Sequence, residues 1–174
     1  MLAFIVAGCA NTTATAPAGS NVNATDLAFV TNLYNVVDFD REVIGEVLPK
    51  NPDPRIAALG REFLVEGNNL EAQVSPIAAR EGILPPEGQR FTQRADLQAR
   101  IASVTGNSPI DYDQEFLADE LYSHEQALES ARTRSQQPGA NPELLAISKE
   151  GIGTLEADIA KLKSLQAQMA TRPL

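Results

Sequence analysis

The chain has 174 residues, of which 43% are hydrophobic and only 5% aromatic, and it contains no Trp. This length allows one domain with its own core, and a core built without many aromatic residues favours packed helices. The formal net charge of −9 argues against nucleic acid as a partner, because binding to phosphates needs a basic surface. A single Cys, Cys9, excludes an internal disulfide framework and a zinc site built from cysteines.

The N-terminal segment resembles the start of a bacterial lipoprotein. Residues 1–24 carry no charged side chain, and an apolar run leads to Val6-Ala7-Gly8-Cys9. This tetrapeptide is similar to the lipobox, where a signal peptidase cleaves before the Cys and the thiol receives a diacylglyceryl group. The basic region and longer apolar stretch of an ordinary secretory signal are missing or short. We therefore expect residues 1–9 to be a shortened lipoprotein signal, with lipid on Cys9.

Residues 10–24 follow as a stretch of small polar residues with Pro and Gly, which cannot bury a core and predicts a flexible tether. The lipoprotein resemblance implies that Ala10, next to the Cys, favours export to the outer membrane. A Cys with two or three acyl chains is held stably in a bilayer. We expect a lipid anchor on the periplasmic side of the bacterial envelope, since no apolar run approaches the roughly 20 residues of a membrane span.

Hydrophobic residues recur at helical spacing, which predicts an all-α domain over residues 25–170. Proline, glycine and capping residues mark the ends of the helices. The prediction is helix A from Thr25 or Asp26 to Pro49, helix B from Asp53 or Pro54 to Arg80, a short helix C from Phe91 to Val104, helix D from about Asp111 to Gln136, and helix E from Asn141 and Pro142 onward. A kink or break is expected at Pro76, and Gly151 with Gly153 predicts a bend or a close helix contact.

The connections between these helices indicate a particular bundle. The turns A–B and D–E are short, whereas the B–D connection is long and carries the short helix C. Four long helices with one such crossover form the connectivity of ferritin-like four-helix bundles.

His124 is the only histidine, and it falls inside the apolar stripe of helix D between Leu121 and Leu128. A histidine in such a position is commonly hydrogen-bonded within the core. The candidate partners are Asp113, Glu120, Tyr34, Tyr122 or a carboxylate on a facing helix.

Each long helix places one ionisable residue on its inner face, and the four are Asp40, Glu66, His124 and Asp158. Carboxylates with an imidazole can hold one divalent ion such as Zn, Mn or Fe(II). Counted from the turns, Asp40 and Glu66 differ in depth by about one helical turn, as do His124 and Asp158. An internal polar network without metal is therefore the alternative interpretation. A standard di-iron centre is not expected, because it needs two Glu-x-x-His motifs, whereas this chain has one histidine and Leu121 occupies the Glu position before it.

Several short motifs occur in a characteristic order: Asp53-Pro54-Arg55-Ile56, Gly82-Ile83-Leu84-Pro85, Tyr112-Asp113-x-x-Phe116, His124, and Asn141-Pro142-Glu143-Leu144. In this order and spacing the chain, over about residues 26–165, resembles the bacterial domain of unknown function 4142. Members of that family are often described as predicted exported or outer-membrane ferritin-like proteins.

The resemblance also shows where this chain departs from the family pattern. The family usually has an Asp-His pair in helix B, where this chain has Glu66 and Gly67. It usually has a His in the last helix, at the position of Asp158, preceded by a Leu-Pro where this chain has Ile152-Gly153. Of the recurring histidines of the family, only His124 is present.

No known catalytic centre is visible in the sequence. There is no nucleophile elbow or Ser-His-Asp spacing, and Gly151-Ile152-Gly153 lies inside a predicted helix with no strand before it. The predicted function is that of an envelope-anchored lipoprotein whose bundle is a non-catalytic binding or structural module. The alternative is a divalent-metal-binding or redox protein that uses Asp40, Glu66, His124 and Asp158.

Overall fold

The computed structural model describes residues 23–84, 99–100, 109–137 and 141–171, and these residues are almost entirely helical. The long helices are α1 (Ala24–Val47), α2 (Pro54–Glu81), α3 (Pro109–Ser135) and α4 (Pro142–Ala170), with a 3-10 turn at Leu48–Lys50. The predicted all-α bundle of four long helices is confirmed. The predicted signal, Cys9 and the tether before Asn23 lie outside the described residues, as does the short helix C apart from residues 99–100.

The caps of α2 and α4 are those that the sequence predicts. Asp53 accepts a hydrogen bond from the amide of Arg55 at 2.9 Å, and Asn141 accepts one from the amide of Glu143 at 2.9 Å. A proline follows each cap in the first turn, where its missing amide costs no helical hydrogen bond. Both helices therefore start where their sequence signals place them.

The start of α1 differs from the prediction. Asn23, rather than Thr25 or Asp26, caps the helix, and its Oδ1 accepts hydrogen bonds from the Thr25 and Asp26 amides at 2.9 and 3.2 Å. Because Asn23 satisfies these amides, the Asp26 carboxylate is available for a buried contact at the end of the bundle.

Pro76 does not break α2, which continues to Glu81. The two residues that follow it, Ile77 and Ala78, are buried. Their packing stabilises the helix beyond the proline. Gly82, whose φ of 67° is left-handed, caps the end of the helix, and the amide of Ile83 donates to the Ala78 carbonyl at 2.9 Å.

Contacts between helix ends fix the helix directions. The Asp53 amide donates to the Asp113 carboxylate at 3.2 Å, which places the starts of α2 and α3 together. Arg80 pairs with Glu143 at 2.7 Å, which places the end of α2 beside the start of α4. The end of α2 and the start of α3 are therefore at opposite ends of the bundle, as the predicted single crossover requires.

The core consists of two hydrophobic clusters, one toward each end of the bundle. One cluster includes Phe39, Ile44, Phe63, Phe116 and Leu162; the other includes Phe29, Tyr34, Val37, Val74 and Leu144. In α2, α3 and α4 the ionisable inner residue predicted above falls in sequence between the residues of the two clusters, and in α1 Asp40 directly follows Phe39 of the first cluster. None of the described helices has the length and apolarity of a membrane span.

Gly151 and Gly153 are not close-contact glycines, because a Cβ built at either position would meet no atom within 4 Å. The predicted close helix contact at these positions is wrong. At Gly60, by contrast, a Cβ would lie 3.2 Å from Ile44 Cγ2, so the close approach occurs between α1 and α2.

We expect Gly153→Ala to raise the free energy of unfolding by about 0.5–1 kcal/mol, because Gly153 is an exposed helical glycine in open space. Urea denaturation followed by circular dichroism measures the change. Gly60→Ala is the matched comparison and should not stabilise the protein, since its methyl group would press on Ile44. A loss of stability in Gly153→Ala would contradict the finding that a Cβ at this position meets no other atom.

Candidate metal centre

Three buried residues from two helices converge at the middle of the bundle. Asp40 of α1 and Glu120 and His124 of α3 each offer one ligand atom, and these atoms all lie within 4.8 Å of one another. Their exposed fractions are 8%, 0% and 5%. Glu120 and His124 are four residues apart, which puts both on the same face of α3.

The His124 ring is held from two sides. Its Nδ1 lies 2.8 Å from the backbone carbonyl oxygen of Glu120, so this nitrogen carries the proton and donates to the carbonyl. The Phe63 ring packs on the imidazole with a centroid distance of 4.3 Å. A neutral ring in this tautomer keeps its lone pair on Nε2, which is the arrangement of histidines that bind metals.

Ser123 links α3 to α1 beside the three candidate ligands. Its hydroxyl donates to Asp40 Oδ1 at 2.9 Å, and its oxygen also lies 3.3 Å from His124 Nδ1. The hydroxyl thereby fixes the position of the Asp40 carboxyl beside the α3 residues. The hydrophobic pattern gives no signal for this role, because a serine in a helix is usually a neutral surface residue.

The Glu120 carboxyl is the unusual member of the group. It is fully buried, and neither of its oxygens has a hydrogen-bond partner among the described residues. Burial raises the pKa of Glu120 well above its usual value, and the negative charges of Asp40 and Asp119 raise it further. An ionised carboxylate here needs a compensating positive charge.

Asp40 shares this environment. Burial raises the pKa of Asp40 to about 6, while His124, the Ser123 hydrogen bond and Arg41 act in the opposite direction. Two buried carboxyls with ligand atoms within 4.8 Å of each other disfavour simultaneous ionisation. Without a cation, the pair is therefore stabilised by holding a proton.

The other two predicted ligands form a separate pair. Asp158 is buried and accepts a hydrogen bond from Lys161 Nζ at 2.9 Å, and Lys161 also contacts Glu62 at 2.8 Å. Burial raises the pKa of Glu66 to about 7, and the charge of Asp158, its hydrogen-bond partner, contributes in the same direction. Within the described chain, neither Glu66 nor Asp158 belongs to a group of three or more possible metal ligands as close together as those around His124.

All four predicted residues nevertheless line one cavity. It has a volume of about 340 Å³ and is bounded by all four long helices, with Asp40, Glu66, His124 and Asp158 on its wall. The predicted set thus shares a space, and the residue whose ligand atom lies within 4.8 Å of those of both Asp40 and His124 is Glu120. The sequence predicts Glu120 only as a hydrogen-bond partner of the histidine.

The remaining candidate partners of His124 have contacts elsewhere. Asp113 accepts from the Asp53 amide, and the Tyr34 hydroxyl lies 2.6 Å from Ser75 Oγ. The Arg100 guanidinium lies over the Tyr122 ring, with its Cζ 3.9 Å from the ring centroid.

The family comparison agrees with the order of motifs in the chain. The family model described as "Domain of unknown function (DUF4142)" matches residues 11–165. No curated protein and no solved structure matches the chain. On the strength of a match that spans most of its length, the chain belongs to the DUF4142 family.

Proposed function

We propose that this protein binds one divalent transition-metal ion, Zn, Mn or Fe(II), through Asp40, Glu120 and His124. The observation that carries the proposal is the Glu120 carboxyl, which is fully buried and lacks a hydrogen-bond partner among the described residues. Leaving a buried carboxylate without a partner costs several kcal/mol, and a bound cation removes that cost.

The donor set supports this choice of metals. Two carboxylate oxygens and one imidazole nitrogen suit Zn, Mn and Fe(II), whereas a Ca²⁺ site needs six to eight oxygen ligands and a Cu(I) site prefers sulfur. Asp40 and His124 also line the cavity, so water or a small ligand can complete the coordination from that side. We assign a binding role and no reaction to this site.

The second candidate is the predicted structural module, in which the same residues form a polar layer without metal. The hydrogen bonds from Ser123 to Asp40 and from His124 to the Glu120 carbonyl favour it, because they satisfy part of the layer within the protein. In this candidate Glu120 remains protonated, and stability does not respond to metal ions.

A competition titration with a chromophoric chelator separates these candidates. We expect the full chain to bind one ion, and His124→Ala and Glu120→Gln to weaken binding by about 100-fold or more, since each removes a ligand. Glu129→Gln is the matched control, because Glu129 is an exposed residue of the same helix. Equal affinities of the control and the two ligand variants would reject the site.

The titration also has an expected pH dependence. Asp40, whose pKa is raised to about 6, and Glu120, whose pKa is raised well above its usual value, must lose their protons to bind a metal. Metal competes with these protons, so affinity should rise between about pH 5.5 and 7.5. An affinity independent of pH over this range would mean that the metal binds elsewhere.

We further propose that the bundle is held at the periplasmic side of the bacterial envelope, on the outer membrane, by lipid on Cys9. The support is the sequence Val6-Ala7-Gly8-Cys9 and the uncharged residues 1–24. We expect Cys9→Ala to lose the lipid and to leave the membrane fraction, as measured by mass spectrometry and fractionation. An unchanged membrane fraction would contradict the anchor.

A further inference from the structure

The cavity between the helices has a one-sided charge. Its described lining includes four acidic side chains, Asp40, Glu66, Glu150 and Asp158, and it includes neither Lys nor Arg. Lys161, which neutralises Asp158, is not among the lining residues and is about half exposed. The lining itself therefore presents carboxyl groups and no cationic side chain, and Lys161 contacts Asp158 from outside it at 2.9 Å.

The rest of the wall is largely apolar. Phe29, Leu33, Val37, Phe63, Leu70 and Leu155 contribute side chains to it. The volume of about 340 Å³ falls at the lower end of the range for small-molecule sites, and it exceeds the roughly 150 Å³ of a cavity that holds benzene. This size suits an apolar body of roughly ten to fifteen non-hydrogen atoms.

The Glu66–Asp158 pair is the part of the wall best suited to a positive charge. Both carboxyls line the cavity, Glu66 from α2 and Asp158 from α4, and they are close enough that the charge of Asp158 raises the pKa of Glu66. An ammonium group has three donors and no acceptor, so it can donate to Glu66 and, beside Lys161, to Asp158.

We propose that this cavity binds a small organic cation, a primary amine with an apolar body, whose ammonium group lies between Glu66 and Asp158. The apolar body packs along the Phe29, Leu33 and Leu70 side of the cavity. An anionic ligand of the same shape is repelled by the acidic wall, and a bare metal ion at this pair leaves the apolar wall unused. The site uses carboxyls other than Glu120 and does not depend on the proposed metal.

Binding of three probes of one shape tests the charge preference. Isothermal titration of the chelator-treated full chain at pH 8 with 4-phenylbutylamine, 4-phenylbutanol and 4-phenylbutyrate compares a cation, a neutral molecule and an anion. We expect the amine to bind at least about tenfold more tightly than the alcohol, as a charge-assisted hydrogen bond allows. We expect the carboxylate to bind most weakly.

Variants locate the site. Glu66→Gln with Asp158→Asn should reduce amine affinity by about tenfold or more and leave alcohol affinity nearly unchanged. The matched control is Glu143→Gln with Glu156→Gln, which removes two exposed charges of α4 and should not change binding. If the first double variant does not fold, Glu66→Gln alone decides the question, because Glu66 is only half-buried.

The outcomes separate this proposal from the metal site. Glu120→Gln should lose metal and retain the amine, whereas Glu66→Gln should lose the amine and retain metal. Equal affinity for the three probes, no measurable amine binding, or equal amine binding by Glu66→Gln and the exposed control would each overturn the proposal.

Discussion

Replacing Arg134 with Ala should lower the free energy of unfolding by about 3–5 kcal/mol, the largest loss expected from a single substitution in this bundle. The Arg134 side chain is fully buried, and its Nε donates to Asp26 Oδ1 at 2.6 Å. Asp26 Oδ2 accepts from the Asn141 amide at 2.9 Å, and Arg134 Nη2 donates to the Asn141 carbonyl at 2.7 Å. The substitution leaves Asp26 buried without its counter-charge and loosens the junction of three helices.

Guanidinium denaturation at pH 7 measures this loss. Arg132→Ala is the matched control, because Arg132 is an exposed residue two positions earlier that pairs with Glu156 at 2.8 Å. An exposed pair of this kind contributes about 0–1 kcal/mol. Similar losses in the two variants would contradict the structural role given to Arg134.

Glu120→Met should have opposite effects on the metal-free and metal-bound protein. Without metal at pH 8 we expect it to raise the free energy of unfolding by about 1–3 kcal/mol, because a buried carboxyl that lacks a hydrogen-bond partner among the described residues, and has only His124 Nδ1 at 3.9 Å, is replaced by an apolar chain of similar size. With metal at 100 times its Kd, the wild type should gain about 2.7 kcal/mol and the variant nothing.

Without metal, the difference in unfolding free energy between Glu120→Met and the wild type should depend on pH, because the pKa of Glu120 is raised in the folded protein. The pKa of Glu120 is raised in the folded protein above the ordinary value of 4.5. Below 4.5 the group is protonated in both states, so wild type and Glu120→Met should be closest in stability there. As the pH rises through the folded-state pKa, the wild type loses stability and the difference grows.

Denaturation of chelator-treated protein at pH 4.5, 6 and 8 checks this trend. Glu129→Met, at an exposed position of the same helix, should change stability by less than about 0.5 kcal/mol at every pH. A destabilised Glu120→Met at pH 8 would show that the carboxylate has protein partners that stabilise its charge.

The helices are largely predictable from the sequence because their signals are local. Asp53-Pro54 and Asn141-Pro142 cap and open α2 and α4 as predicted, since capping depends only on neighbouring residues. Pro76 is the exception. The packing of Ile77 and Ala78 outweighs the lost hydrogen bond, and that packing depends on distant parts of the chain.

Buried charge is harder to predict, as Asp26 and Arg134 show. Asp26 has the sequence signature of a cap and Arg134 that of a basic residue in a last turn, both of which are usually exposed. Their pairing joins residues 108 positions apart, so neither local pattern contains it.

The sequence predicts which helix face each site residue occupies, but not which of these residues lie next to each other. Helical periodicity correctly places Asp40, Glu66, His124 and Asp158 on the cavity. The sequence also predicts that Asp40 and Glu66 differ in depth by about one helical turn, and in the structure the ligand atoms close to Asp40 are those of Glu120 and His124. Glu120 lies one turn before His124 and could have been chosen as a ligand from that spacing alone.

The most direct test is the metal content of the full chain, purified without an affinity tag and measured by elemental analysis before and after dialysis against Zn, Mn or Fe(II). We expect about one divalent ion per chain in the wild type and in Glu129→Gln, and none in His124→Ala. A wild-type protein that remains free of metal, with a melting temperature unaffected by all three ions, would contradict the proposed metal site.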